Sequence, residues 1–148
     1  MIKGRVQISG RILSEIRSHL GVMYPNEACG FLLGTGLHGE HAIVKACVPV
    51  HNERTGDAAA RTRYLIGPTD FLRAEATARQ SGLEVLGTFH SHPDVPPRPS
   101  SYDREHAWPG LRYLIVSVDN GVPGHQRVWG LADDRSDFVE HELIIKES

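Results

Sequence analysis

Short apolar runs, each bounded by turn-forming residues, recur along this chain of 148 residues. Runs of this length and composition are typical of β-strands in a buried sheet. Helical periodicity lies between them over residues 10–20, behind Ser9 as N-cap, and over residues 70–81, behind Thr69 and before Gly82. The predicted strands cover residues 29–34, 41–50, 64–66, 83–91, 111–119, 126–133 and 138–145.

Strands and helices alternate without a long linker or an internal repeat. This order predicts one domain, residues 1–148, of the α/β class, with a mixed sheet flanked by helices. Residues 51–62 are polar and rich in turn formers, so a mobile loop is expected there. The prolines within residues 95–99 predict a stiff loop, and Ser100 is expected to start a short helix.

The composition argues against several classes of function. The net charge is −2, so the chain lacks the excess of basic residues that is typical of nucleic-acid-binding proteins. No apolar run reaches the roughly 18 residues that a membrane span needs. The first residues lead into polar sequence without the apolar stretch of a secretory signal. Cys29 and Cys47 form no CxxC pair, which disfavours a structural zinc knuckle and is typical of free thiols in a cytoplasmic protein.

His90 and His92 end an apolar strand with one residue between them. Alternate residues of a strand point to the same face, roughly 6.5 Å apart along it, so both imidazoles can reach one metal ion. Such a pair alone is often a pair of core or surface histidines, although ligand sites tend to lie at strand ends in α/β sheets. With Asp103 as a third, anionic ligand, the metal would keep an open position from which it activates water.

Ser100 and Asp103 have two compatible interpretations. Ser-x-x-Asp is a helix-start signature, and that start would also fix the direction of a carboxylate that binds metal. Glu27 precedes the strand at 29–34. It is either a solvated surface residue or, if the fold brings it to the metal, the general base that acts on water.

Other matches are incomplete. Gly34, Gly36 and Gly39 satisfy GxGxxG, but a strand-like segment follows where a dinucleotide site needs a helix, so a hairpin turn is favoured. His141 opens an HExxH motif in which Ile145 replaces the second histidine. The PCxxC motif of zinc deaminases is absent from the sequence.

Four further residues have ordinary interpretations. Cys29 is interpreted as a small buried hydrophobe rather than a nucleophile. His106 is interpreted as a surface residue of the short helix. His51 and Asn52 are interpreted as loop residues, with contact to substrate as the alternative.

Taken together, these residues read Glu…His-Ser-His-Pro-x6-Ser-x2-Asp, which resembles the JAMM motif of the MPN+ metalloprotease family. Segment 29–34 also resembles the family's first core strand, segment 49–52 the end of its next strand, and segment 87–89 its approach to the histidines. The resemblance spans about residues 7–133. The long insertions with which eukaryotic members select polyubiquitin linkages are absent, so the chain resembles the small, free-standing prokaryotic members. The matched motif residues are Glu27, His90, Ser91, His92, Pro93, Ser100 and Asp103.

The resemblance implies a cytidine-deaminase-like JAMM/MPN+ domain with one zinc ion per chain, acting as a zinc metallopeptidase or isopeptidase. His90, His92 and Asp103 would bind the zinc. Glu27 would be the general acid and base, and Ser100 would help to stabilise the oxyanion. The substrates implied are peptide or isopeptide bonds after the C-terminal Gly-Gly of ubiquitin-like or sulfur-carrier proteins.

Two alternatives stay open at this point. The chain could be a metal-free MPN scaffold that only binds partners, although scaffold members typically lose the ligand positions that are intact here. It could also be a zinc hydrolase of a small amide, with the same site and a different pocket. The sequence does not separate a small amide from a protein substrate.

Overall fold

The computed structural model describes residues 4–50 and 66–147. These residues form seven strands and three helices, which confirms the α/β class that the sequence predicts. No helix within the two ranges has the length and apolar character needed to cross a bilayer. In chain order the elements are β1 (Arg5–Ser9), α1 (Gly10–Met23), β2 (Cys29–Thr35), β3 (His41–Val50), α2 (Pro68–Gln80), β4 (Glu84–Pro93), α3 (Ser101–His106), β5 (Arg112–Asp119), β6 (Val122–Leu131) and β7 (Phe138–Lys146).

The predicted helices differ from the observed ones at their ends. α1 begins behind Ser9, whose hydroxyl accepts a helix N–H as predicted, but it continues beyond residue 20. α2 begins behind Gly67 instead of Thr69, because the Asp70 carboxylate accepts the Gly67 N–H at 3.0 Å and Pro68 fits the first helical position.

Two sequence predictions fall on the part of the chain that is not described. The loop predicted at residues 51–62 lies outside the described residues, and so do the first two residues of the strand predicted at 64–66. Ile66, the third residue, is described and belongs to no strand.

The seven strands form one closed sheet in the order β1-β3-β2-β4-β5-β6-β7. β1 is parallel to both β3 and β7, and β4 is parallel to β5, while the other neighbours are antiparallel. The predicted mixed sheet is therefore confirmed. Its closure was not predicted, because β1 makes the closing contacts and has no counterpart among the predicted strands. The antiparallel pairing of β2 with β3 also confirms the hairpin at the GxGxxG glycines.

Two hydrophobic clusters lie on opposite faces of β2. The larger cluster contains Leu32 and the apolar stripe of α1, whereas the smaller cluster contains Phe31 and Leu33 with Ala74 and Ala78 of α2. Neighbours along a strand point to opposite faces, so the two helices pack against different sides of this strand. The stripe of α1 consists of Ile12, Leu13, Ile16 and Leu20.

β4 carries the two histidines of the predicted site. It pairs with β2 on one side and β5 on the other, and His90 lies opposite both Cys29 and Ile115. Every residue of β4 from 85 to 92 is buried. Because β4 is hydrogen-bonded to a strand on each side, the directions of its side chains are fixed, which is what a ligand site requires.

Gly87 of β4 lies opposite Arg112 of β5, and we expect Gly87→Ala to destabilise the protein strongly. A Cβ atom at this position would lie 1.7 Å from the backbone oxygen of Arg112, which is fixed in the sheet. Overpacking of this kind costs about 1–3 kcal/mol or more, so the melting temperature should fall clearly. Gly39→Ala is the matched control, since its Cβ would have no neighbour closer than 3.8 Å. Equal melting temperatures for the two variants would contradict this expectation.

Candidate metal centre

His90, His92 and Asp103 come together as a buried cluster of three ligand atoms. The Nε2 atoms of the two histidines lie 3.2 Å apart. The carboxylate oxygens of Asp103 lie 3.2 Å from His90 Nε2 and 3.1 Å from His92 Nε2. Two ligands of a tetrahedral zinc ion, with bonds of about 2.0–2.1 Å, lie roughly 3.3 Å apart, so this spacing fits one ion. Within residues 4–50 and 66–147, no other group of His, Cys, Asp or Glu side chains offers such a set.

The start of α3 aims the Asp103 carboxylate. The Ser100 hydroxyl accepts the Asp103 N–H at 3.1 Å, and Asp103 Oδ2 accepts the Ser100 N–H at 2.8 Å. This is the reciprocal cap that Ser-x-x-Asp predicts. The same carboxylate faces both histidines, so the observed helix start is compatible with the ligand interpretation of Asp103.

The three side chains of the cluster set one another's protonation. Burial lowers the pKa of His90 below its usual value, by more than the Asp103 charge raises it. For His92, burial also acts to lower the pKa, but the hydrogen bond and charge of Asp103 raise it above its usual value. Burial alone would raise the pKa of Asp103, but the imidazoles and the Ser100 N–H hold it well below its usual range. Asp103 is therefore an anion at neutral pH, as a metal ligand must be.

Ser91 lies between the two histidines and is hydrogen-bonded to Ala28, the residue after Glu27. Its N–H donates to the Ala28 carbonyl at 3.0 Å, and its hydroxyl accepts the Ala28 N–H at 3.0 Å. Glu27 is adjacent to this link and is only 6% exposed. Its negative charge also contributes to the raised pKa of His92, after the larger effects of burial and of Asp103. The role of Glu27 as a general base stays a prediction.

A second link holds the same segment. Tyr24 Oη donates to Asp94 Oδ2 at 2.6 Å, and Asp94 Oδ1 accepts the Asn120 N–H at 2.8 Å. Asp94 has a φ of 60°, in the left-handed region that aspartate tolerates better than most residues. It joins the residues before Glu27, the loop after the histidines and the β5–β6 turn. The sequence did not predict these residues as part of the site, because their partners are distant along the chain and no local motif marks them.

The other candidates follow their ordinary interpretations where the structure describes them. Cys29 is fully buried, and burial raises the pKa of its thiol to about 12, which leaves no thiolate to act as a nucleophile. His106 is exposed on α3, as predicted for a surface residue of the short helix. His51 and Asn52 lie outside the described residues.

The comparison with known families decides the classification. The Prok-JAB model, which describes prokaryotic homologs of the JAB domain, matches residues 9–131. The chain belongs to this family. All five site residues predicted for the Prok-JAB chain fall within the matched range, and the JAMM/MPN+ resemblance of its sequence is confirmed.

Named relatives of this Prok-JAB chain match it over most of their length. A desampylase of Haloferax volcanii is 35% identical over 116 residues, which cover 78% of this chain and 79% of that protein. A probable TtuB-protein conjugate cleaving protease of Thermus thermophilus is 32% identical over 108 residues, which cover 73% of this chain and 67% of that protein. The solution structure of a Desulfitobacterium hafniense protein is similar with a TM-score of 0.82 and 31% identity, over 97% of this chain and 94% of that chain.

Proposed function

We propose that this chain is a zinc metallopeptidase that hydrolyses peptide or isopeptide bonds after the C-terminal Gly-Gly of a ubiquitin-like or sulfur-carrier protein. The observation that carries the proposal is the buried cluster of His90, His92 and Asp103. Glu27 is also buried, next to the hydrogen bonds between Ala28 and Ser91. The Prok-JAB family supports it, as do relatives named as a desampylase and as a protease that cleaves protein conjugates.

His90, His92 and Asp103 would hold one zinc ion. Zinc bound there supplies Lewis acidity, which polarises a scissile carbonyl and makes water nucleophilic near neutral pH. His92 Nδ1 lies 2.9 Å from the carbonyl oxygen of Pro96, which can only accept, so Nδ1 carries the ring proton in the neutral form. That proton position leaves the lone pair of Nε2 for the metal.

Glu27 would move the protons of the reaction. It would take a proton from the attacking water and pass it to the leaving amine. Two hydrogen bonds between Ala28 and Ser91 hold the residue after Glu27 against β4, and this link would position the carboxylate before the substrate arrives. Positioning of this kind removes an entropic cost from the transition state.

Ser100 would stabilise the oxyanion. Its cap contact with Asp103 uses the hydroxyl as an acceptor, so the O–H proton is the group that would donate to the developing negative charge. One such donor can be worth roughly 3 kcal/mol of transition-state stabilisation.

The proposed substrate leads to a prediction about its terminal residues. An extended Gly-Gly tail suits a narrow groove, because glycine has no side chain to exclude. We expect replacement of the terminal glycine of the carrier by leucine to abolish cleavage, as measured by intact mass. The matched control replaces the first residue after the scissile bond instead. If the leucine variant is cleaved as fast as the Gly-Gly form, the narrow-groove hypothesis is wrong.

The experiment that tests the proposal is incubation of the zinc-loaded protein with sulfur-carrier proteins of its own organism that carry C-terminal extensions. We expect intact-mass analysis to find each carrier ending at Gly-Gly. A short Gly-Gly amide tested in parallel distinguishes the alternatives. Cleavage of the amide without cleavage of the folded carrier would favour a small-amide hydrolase. Binding of the carrier without any hydrolysis would favour a scaffold.

The extent of the domain and its fold belong to the same proposal. We propose one JAMM/MPN+ domain over residues 1–148, with a cytidine-deaminase-like fold whose helices flank the sheet. The packing of α1 and α2 on separate clusters supports that arrangement. A cytoplasmic location, and the absence of nucleic-acid and membrane partners, stay predictions from composition.

A further inference from the structure

The loop that follows β4 is held by its backbone carbonyls. Ser117 of β5 donates through its hydroxyl to the Val95 carbonyl at 2.7 Å. Trp129 of β6 donates through its indole N–H to the Pro97 carbonyl at 3.0 Å. Two strands that supply no ligand to the cluster thus hold the loop on both sides of Pro96.

The carbonyl between these two anchors orients a proposed zinc ligand. The Pro96 carbonyl lies 2.9 Å from His92 Nδ1 and also accepts the Arg98 N–H at 2.8 Å. A histidine that binds metal almost always donates its second ring N–H to a fixed acceptor, which sets the angle of the ring. His92 Nε2 lies 3.1 Å from Asp103, on the cluster side of the same ring.

Proline chemistry makes the side-chain anchors important. Pro96 and Pro97 have no backbone N–H, so neither can tie this part of the loop down by donating a hydrogen bond. Apart from the Arg98 N–H, the donors that fix the carbonyl positions then come from other elements. An indole N–H is a donor only, and a carbonyl is the partner that Trp129 reaches here.

We propose that Trp129 is a positioning residue for the metal centre. Its indole N–H holds the Pro97 carbonyl, which fixes the neighbouring Pro96 carbonyl and, through it, the ring of His92. This inference rests on the proposed function only in that the cluster binds zinc. It involves no substrate.

The test is the zinc affinity of Trp129→Phe, measured by competition with a chelator. Phenylalanine keeps an aromatic ring but removes the donor, so we expect the affinity to fall about tenfold or more, within the range found for outer partners of metal ligands. Cobalt bound in place of zinc adds a readout of geometry, since its visible absorption depends on ligand arrangement. That spectrum should change in Trp129→Phe.

Trp108→Phe is the matched control. Trp108 is the only other tryptophan in the sequence. Its side chain is 69% exposed, and the group through which it donates a hydrogen bond is its backbone N–H. Its zinc affinity and cobalt spectrum should equal those of the unchanged chain. Folded Trp129→Phe with the affinity and spectrum of the unchanged chain would overturn the proposal.

A second variant decides the matter if Trp129→Phe does not fold. Ser117→Ala removes the other anchor with a much smaller change of volume, and it should also weaken zinc binding. Unchanged zinc affinity in Ser117→Ala would then overturn the proposal. Absence of zinc binding by the unchanged chain would instead overturn the metal centre itself, which separates the two failures.

Discussion

His92→Ala is expected to lose its zinc, whereas the unchanged protein should be purified with about one zinc ion per chain. The variant keeps only two of the three protein ligands, His90 and Asp103, which are too few to hold the ion against water. Hydrolysis should be lost with the metal. Elemental analysis of metal per chain, combined with a folding check by circular dichroism, measures the effect.

His106→Ala is the control for this prediction, because His106 is a histidine close to the site in sequence but exposed on α3. Its zinc content should be that of the unchanged chain. Full zinc occupancy in a His90→Ala/His92→Ala double variant would exclude the cluster as the metal centre.

Glu27→Gln is expected to reduce hydrolysis by at least about a hundredfold while zinc content and fold are retained. Glutamine is nearly isosteric with glutamate but does not accept a proton at neutral pH, so the attacking water loses its base. General-base contributions of about 100- to 10,000-fold correspond to roughly 3–5 kcal/mol of barrier. The turnover number should carry most of the loss, with KM changed little.

Glu105→Gln provides the matched control, since Glu105 is an exposed glutamate on α3. This variant should keep near-normal turnover. Glu27→Gln with normal zinc content and near-normal turnover would remove Glu27 from the mechanism.

The grouping of His90, His92 and Asp103 could be predicted because its signals are local. A strand has a period of two residues, so His90 and His92 were expected to share a face before any partner was known. Ser100 and Asp103 were recognisable as a helix start, and the helix start also sets the direction of the carboxylate. Proline content alone indicated that the loop between them is stiff.

The position of Glu27 could not be derived from local sequence. The hydrogen bonds that tie its segment to β4 join Ala28 and Ser91, which are distant in the chain. Only the resemblance to a known motif connected Glu27 with the histidines in advance. The contact from Tyr24 to Asp94 and the contact from Trp129 to the proline loop had no such motif, so neither was predicted.

The closure of the sheet was missed for a related reason. β1 is a short strand whose identity depends on two parallel neighbours, β3 and β7, which come later in the chain. Parallel pairing requires partners that are remote in sequence, and a five-residue segment has too few alternating positions to reveal a strand. The start of α2 shows a smaller effect of the same kind, since the Asp70 side chain accepts the Gly67 N–H and the helix begins behind Gly67 instead of the predicted Thr69.

The most direct test of the proposed activity uses a conjugate in which the Gly-Gly carboxyl of a sulfur-carrier protein is joined to a lysine of a second protein. Intact mass is measured after incubation with the zinc-loaded chain and, in parallel, with Glu27→Gln. The account predicts two products with the unchanged chain, a carrier ending in a free Gly-Gly carboxylate and a second protein with an unmodified lysine, and an intact conjugate with the variant. An intact conjugate after incubation with the folded, zinc-loaded chain, or cleavage at any other bond, would contradict it.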